Sequence, residues 1–356
     1  MLYGCRHGGK CYTAGPSPGA LNPDFAGPTA TIGCKFPLTI GREREKSVSS
    51  VVQQRPRIWP AAVVVAVAGA LTLSGCAKNT ESGSGTGAGA ATTSIAVAPQ
   101  KVEEIAATLP KEIRDSGKLI VGVNLPYPPN EFRNSEGDLV GFDVDLMNAV
   151  ADTLGLAAEY KESDFAKIIP AIDGGTYNVG MSSFTDTRER EKQVDFVTYF
   201  SAGTLWAQRP GEAVDPGNAC GAKVAVQAAT IQETDELPAK SKACVAAGKP
   251  EIEILKFDGQ DAVTNAVVLG QADAMSADSP VTAYAIRQSS GKLEGAGVIF
   301  DSAPYGWPVK KGSPLAQSLL RALEHLIETG DYETVAENWG VESGMIDKPV
   351  INGAIS

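Results

Sequence analysis

From Lys118 onward, short apolar runs alternate with longer stretches whose apolar residues return every three or four positions. This is strand–helix–strand text, and it commits the chain to an α/β fold, a sheet covered by helices. Residues 118–124 (KLIVGVN) read as a buried strand. Asp143 can cap a helix whose Leu146, Met147, Val150, Ala151 and Leu154 share one face, and Gly155 can stop it. A strand at 158–162, a helix at 165–173 and a strand at 177–182 come next. Pro170 should kink that helix.

Around residues 199–204 the chain passes into a second unit. Residues 205–208, 223–227, 251–257 and 272–276 read as strands, and 259–269 as a helix. Thr230 can cap one helix, and Ser279-Pro280 opens another with proline at its first position. A strand at 298–300 leads to Tyr305-Gly306. Then comes an amphipathic helix through Leu315, Leu319, Leu320, Leu323, Leu326 and Ile327, ended by Gly330. A last helix at 331–339 ends at Gly340. No short repeat is visible. Two units suit 356 residues at roughly 100–200 per domain.

The text before the first strand is of another kind. Residues 1–50 show no sustained period and are rich in Gly, Pro, Ser and Thr. They read as a disordered leader, or as sequence upstream of a true start near Val48 or Val51. Cys5, His7 and Cys11 have the wrong spacing for a zinc knuckle. Residues 51–75 read as a signal peptide: Arg55 and Arg57 precede an uncharged run at 59–73 of about 15 residues, short of the roughly 20 that span a bilayer. The run ends Leu73-Ser74-Gly75-Cys76, which looks like a bacterial lipobox, with Cys76 as the lipidated residue. Residues 76–110 begin with Ala/Gly/Ser/Thr text, a tether of about 24 residues with a reach of roughly 25–30 Å.

This division changes what the composition says. The whole chain carries 31 Lys and Arg against 42 Asp and Glu, a net of −11. Residues 1–75 hold eight of the former and three of the latter, so the remainder carries 23 and 39, a net of −16. So acidic a body is not expected to make nucleic acid its main partner. Of six cysteines, only Cys220 and Cys244 fall in the body. In an exported protein they read as a disulfide, closing a loop of about 25 residues worth about 3 kcal/mol by loop entropy. Two histidines leave little for a metal site, and neither a metal nor a cofactor is expected.

Several segments then resemble one family. They are Tyr127-Pro128-Pro129-Asn130-Glu131-Phe132 with Gly141-Phe142-Asp143-Val144-Asp145-Leu146, and Ile168-Ile169-Pro170-Ala171-Ile172 with Gly180-Met181-Ser182-Ser183. Glu189-Arg190-Glu191-Lys192-Gln193-Val194-Asp195-Phe196, Ala272-Asp273-Ala274 and Tyr305-Gly306 complete the series. In order and spacing they resemble the bacterial extracellular solute-binding proteins of family 3, the polar amino-acid receptors of ABC importers. The resemblance runs from about 111 to 341. It implies a two-lobe, type II periplasmic-binding-protein-like fold, with two hinge strands near 200–204 and 303–307. By it, lobe 1 is 111–202 with a return at 307–341, lobe 2 is 203–306, and 342–356 is a C-terminal tail.

An amino acid has one carboxylate, one ammonium and a side chain, and burying it demands a partner for each charge. By the resemblance, Arg190 takes the carboxylate, for which a guanidinium fork is suited. The chain carries three residues more than the common family spacing before this arginine, so Arg188 is a rival. Ser182, Ser183 and Thr230 match positions that contact the same carboxylate. Asp278, before Ser279-Pro280, matches the amine anchor. Tyr127 and Phe165 match the aromatic faces that sandwich the ligand. Asn124 replaces an aspartate that meets side chains in receptors for glutamine and basic amino acids. With Gln227 and Gln232 beside it, the wall is polar but uncharged. The expected ligand is therefore a neutral polar or amide amino acid, or glutamate, rather than lysine or arginine.

The expected protein is thus a monomeric receptor, lipid-anchored at Cys76 to the outer face of the bacterial cytoplasmic membrane. It would deliver an amino acid to ABC permease subunits. Other readings are an exported dehydratase-type enzyme on the same fold and a ligand-sensing lipoprotein. No serine–histidine or cysteine–histidine set supports catalysis, and His325, between Leu323 and Leu326, reads as structural.

Overall fold

The computed structural model describes residues 97–355. Cys76, the segment read as a signal peptide and most of the tether lie outside the described residues. Two short helices, α1 (Glu103–Ala106) and α2 (Lys111–Ser116), precede β1 (Lys118–Val123). Then come β2 (Phe132–Arg133), β3 (Leu139–Val140), α3 (Phe142–Leu154), β4 (Ala157–Glu162), α4 (Phe165–Asp173) and β5 (Val179–Gly180). The next elements are β6 (Val194–Gln208), β7 (Lys223–Gln227), α5 (Leu237–Ala246), β8 (Glu253–Phe257), α6 (Gln260–Val268) and β9 (Ala274–Asp278). Last are α7 (Ser279–Gln288), β10 (Glu294–Lys310), α8 (Leu315–Thr329) and α9 (Asp331–Trp339).

Eight strands join in the order β4-β1-β5-β10-β6-β9-β7-β8. The two longest, β6 and β10, lie antiparallel in the middle. On one side β1 is parallel to β4 and β5; on the other β7 is parallel to β8 and β9. This is the two-lobe type II arrangement, with β6 and β10 running between the lobes. The apolar text reads as strand only at 205–208 and 298–300, whereas the strands run over Val194–Gln208 and Glu294–Lys310. Residues 200–204 of β6 stay bonded to β10, whose partner register shifts three times along the ladder. Ser201 and Ala202 are half-buried there, so the hydrophobic signal dips while the backbone ladder continues.

Alternation builds the second lobe. Val224 and Val226 of β7 face a cluster with Trp206, Leu237 and Cys244, while Ala225 faces Val263, Ala266, Val267 and Met275. In the first lobe Leu119, Val121 and Val123 join the buried faces of α3, α8 and α9. The opposite side is closed by Ile168, Ile169 and Ile172 of α4 against Phe184, Val194 and Phe196. A disulfide joins Cys220 to Cys244, with Cα atoms 5.5 Å apart. It ties the entry of β7 to the end of α5.

Two local expectations need correction. Asp143 does not cap α3, because the cap position is Gly141 and Asp143 is already helical. At Gly141 (φ +139°) a Cβ would lie 2.0 Å from the Asn130 carbonyl oxygen, so only glycine lets the two segments meet. Asp143 is thereby turned inward, fully buried. Gly155 does stop α3, with φ +67°. The strand expected at 272–276 lies at Ala274–Asp278 instead, because antiparallel pairing with β6 runs until Asp278 faces Thr204.

Candidate functional site

The topology brings strand ends to one cleft, where α/β proteins place their ligands. Asn124 comes directly after β1 and Ser182-Ser183 just after β5, while Gln227 ends β7 and Asp278 ends β9. Helix starts supply the rest: Phe165 opens α4, and Thr230 precedes a π turn over Gln232–Glu236 that leads into α5. All nine sequence-predicted residues line one cavity, with Tyr127 and Arg190 completing the set. About 290 Å³ around them is not filled by atoms, the open mouth included. Arg188 lies elsewhere, exposed, beside Thr187 and Glu189 in a separate depression.

Arg190 is held from both lobes. Its Nη1 donates to the Thr185 carbonyl at 2.8 Å and its Nη2 to the Ala229 carbonyl at 2.9 Å. Its Cζ lies 5.7 Å from the Phe165 ring centroid and 5.6 Å from that of Phe184. These two rings stack on each other at 4.3 Å. Burial lowers the guanidinium to a pKa of about 10, opposed by the charges of Asp278, Asp235 and Asp186, so it stays cationic at neutral pH.

Asp278 caps α7 by position, yet its carboxylate makes no capping bond. It accepts instead from the Tyr127 hydroxyl and from Gln232 Nε2, each at 2.8 Å. Burial raises its pKa, and these hydrogen bonds, with the charge of Arg190, pull it back. One cation and one anion thus line the same small space, and each leans on neutral donors or acceptors.

The remaining residues form the walls. Gln227 Nε2 donates to Asn124 Oδ1 at 2.8 Å across the lobes, and Asn124 Nδ2 donates to the Ser163 carbonyl at 2.9 Å. The Thr230 hydroxyl donates to the Gln227 carbonyl at 2.7 Å and accepts weakly from Glu233 N at 3.4 Å. Three interlobe hydrogen bonds therefore run through site residues: Tyr127–Asp278, Gln227–Asn124 and Arg190–Ala229.

Sequence reasoning missed what supports the two serines. Ser182 Oγ donates to Glu131 Oε1 at 2.9 Å and accepts from Asn124 N at 3.1 Å. Ser183, at φ +53°, donates from its backbone N–H to Asp143 Oδ2 at 3.1 Å, and Tyr199 donates to the same oxygen at 2.7 Å. Glu131 and Asp143 are both fully buried and lie against each other. Their other oxygens, Glu131 Oε2 and Asp143 Oδ1, meet no protein donor beyond the pair. Burial, then the charge of Asp143, raises Glu131 well above the usual carboxylate range, and burial raises Asp143 to about 6. A proton on one of the two spares the core a second buried charge. Glu131 stood within a motif segment, but nothing in its neighbours foretold a buried carboxylate partner. Phe184 was missed because it reads as ordinary core.

Residues 119–342 match the family of bacterial extracellular solute-binding proteins, family 3. The chain is 40% identical over 299 residues to the arginine-binding protein ArgT of Corynebacterium glutamicum, covering 83% of this chain and 96% of that one. It is similar in structure to an ancestral arginine-binding protein solved with arginine, with a TM-score of 0.58, 34% identity and coverage of 63% of this chain and 98% of that one. An ancestral arginine-binding protein solved with glutamine gives a TM-score of 0.58, 34% identity and coverage of 64% and 99%. On its sequence match, its two-lobe fold and its cleft, the chain belongs to family 3 of the bacterial extracellular solute-binding proteins.

Proposed function

We propose that this chain is the substrate-binding component of an ABC importer, closing on a polar amino acid and presenting it to a membrane permease. The observation that carries this reading is that half-buried Arg190 and buried Asp278 line one small cavity. That pair is the charge complement of an α-carboxylate and an α-ammonium. Lobe 1 is 111–202 with 307–341, and lobe 2 is 203–306. Cys76 carries the lipid that holds the protein to the outer face of the membrane. Among the described residues no helix is long and apolar enough to cross a membrane.

For the side chain, a neutral wall alone favours an amide, and the relatives named for arginine shift the balance. The amides of Asn124 and Gln227 line the cavity with the rings of Tyr127 and Phe165. Such acceptors and faces suit any planar nitrogen-bearing group, whether a guanidinium or a carboxamide. Arginine is the first ligand to test and glutamine the second; glutamate, lacking donors, falls behind both. Differential affinity for the closed state drives closure. Isothermal titration of the protein with arginine, glutamine, glutamate, lysine and histidine tests the reading. Saturable heat from arginine or glutamine supports it, and no binding by any of the five at millimolar concentration refutes it.

A further inference from the structure

The family match ends at residue 342, and the last residues of the chain fold back onto the body. Residues 350–352 run beside the first part of β6. Thr198 N donates to the Val350 carbonyl at 2.9 Å, and Val350 N donates back to Thr198 Oγ1 at 2.8 Å. Asn352 N donates to the Phe196 carbonyl at 3.0 Å, and Phe196 N donates to Asn352 Oδ1 at 2.9 Å. Val197 and Ile351 form an antiparallel bridge between them. Residues 204–208 of β6 pair with β9 and residues 194–208 with β10. The segment therefore covers the stretch of β6 edge that β9 leaves open.

The next residues reach the turn that bears Arg190. Gly353 N donates to Asp186 Oδ2 at 2.7 Å, and Ala354 N to Glu191 Oε1 at 3.2 Å. Asn352 Nδ2 donates to Asp195 Oδ1 at 2.9 Å. These three acids bracket Arg190 in sequence, and Asp186 is fully buried. The guanidinium itself donates to two carbonyls and to none of these carboxylates. None of residues 190–192 is fully buried, and the packing of this turn is the Arg190 guanidinium against the Phe165 and Phe184 rings. Apart from its own short-range bonds and residues 350–354, it is held by Arg190 Nη2 on the Ala229 carbonyl at 2.9 Å and by Lys311 Nζ on the Glu191 carbonyl at 2.6 Å.

We propose that residues 350–354 are a strap that positions Arg190: by engaging Asp186, Glu191 and Asp195 they fix its turn and keep those carboxylates off the guanidinium, and so set the cleft's affinity for a carboxylate ligand. This rests on Arg190 being the carboxylate anchor. The strap works through Arg190 and touches no ligand itself.

Two variants test it: removal of residues 349–356, and Asn352→Gly, which keeps the positive φ of +57° and the backbone N–H while losing both side-chain bonds. Hydrogen exchange reads the turn without any ligand, through the amides of Glu191 and Gln193, which bond to the Thr187 and Arg190 carbonyls. In the truncated protein these amides should exchange about tenfold faster while those of β1, α3 and α8 keep their wild-type rates. Affinity for L-arginine or L-glutamine should fall about tenfold, with Asn352→Gly between the two. Unchanged exchange in the turn overturns the proposal, as does unchanged affinity in a truncated protein whose wild type binds. Faster exchange throughout the fold, in both variants, would reduce the strap to general stability and also overturn it. A wild type that binds neither amino acid removes the affinity claim by removing its ligand reading, while the exchange rates still decide whether the strap holds the turn.

Discussion

The Tyr127 hydroxyl donates to Asp278 Oδ2 at 2.8 Å across 151 residues of sequence. Tyr127 belongs to the loop after β1 and Asp278 to the end of β9, so the bond joins the lobes at the carboxylate assigned to the ligand amine. Tyr127→Phe keeps the aromatic face and removes the bond. The ligand-free variant should shift toward an open arrangement by about 1 kcal/mol, seen as a larger radius of gyration in X-ray scattering. An unchanged radius would show that this bond does not hold the lobes.

Arg190→Ala and Asp278→Ala each leave a ligand charge buried without its partner. Each should weaken amino-acid binding by about 3–5 kcal/mol, measured by titration calorimetry. Arg188→Ala should bind as wild type does, since Arg188 is exposed outside the cavity. The reverse pattern would move the anchor to Arg188.

Asn124 gives the wall its neutral character, and Asn124→Asp places a carboxylate beside Gln227 at no cost in size. The ratio of arginine to glutamine affinity should rise by about tenfold or more, as one new charge-assisted hydrogen bond is worth about 1.5–3 kcal/mol. Competition between the two amino acids for the variant reads the ratio directly. A ratio equal to that of wild type would place the ligand side chain away from Asn124.

The buried Glu131–Asp143 pair gives stability a pH dependence of definite sign. Both pKa values are raised in the folded state, Glu131 by burial and then the charge of Asp143, and Asp143 by burial to about 6. Tyr127, Asp278 and Tyr199 also face the pair, and none of them brings a positive charge. The native protein thus keeps protons that an unfolded chain releases above about pH 4. The pair's contribution is full below that pH and is lost as pH rises through about 6. Asp186, raised by burial to about 7, acts in the same direction. In thermal unfolding, Glu131→Gln should flatten the decline in Tm over roughly pH 4–7. A slope as steep as that of wild type would assign the decline to other groups.

Much of the fold was legible because its signals are local. Helix α4 falls at the residues its apolar spacing predicts, and Gly155, Gly330 and Gly340 end their helices in the left-handed conformation. The nine candidate site residues were legible through short motifs kept in order, and the structure gathers them around one cavity. The length of β6 and β10 was not legible, because their hydrophobic pattern fades where the strands pass between lobes.

The sequence by itself determined the strands, the helices, the acidic balance and the residue types able to meet a zwitterion, since each depends on neighbours a few positions away. Tertiary structure alone decided that Arg190 rather than Arg188 lines the cavity. It also set Glu131 against Asp143 and returned residues 350–354 to the turn of Arg190. Those relationships join segments distant along the chain. Their energies come from burial and from hydrogen bonds made only once the two lobes are packed, and no local periodicity records them.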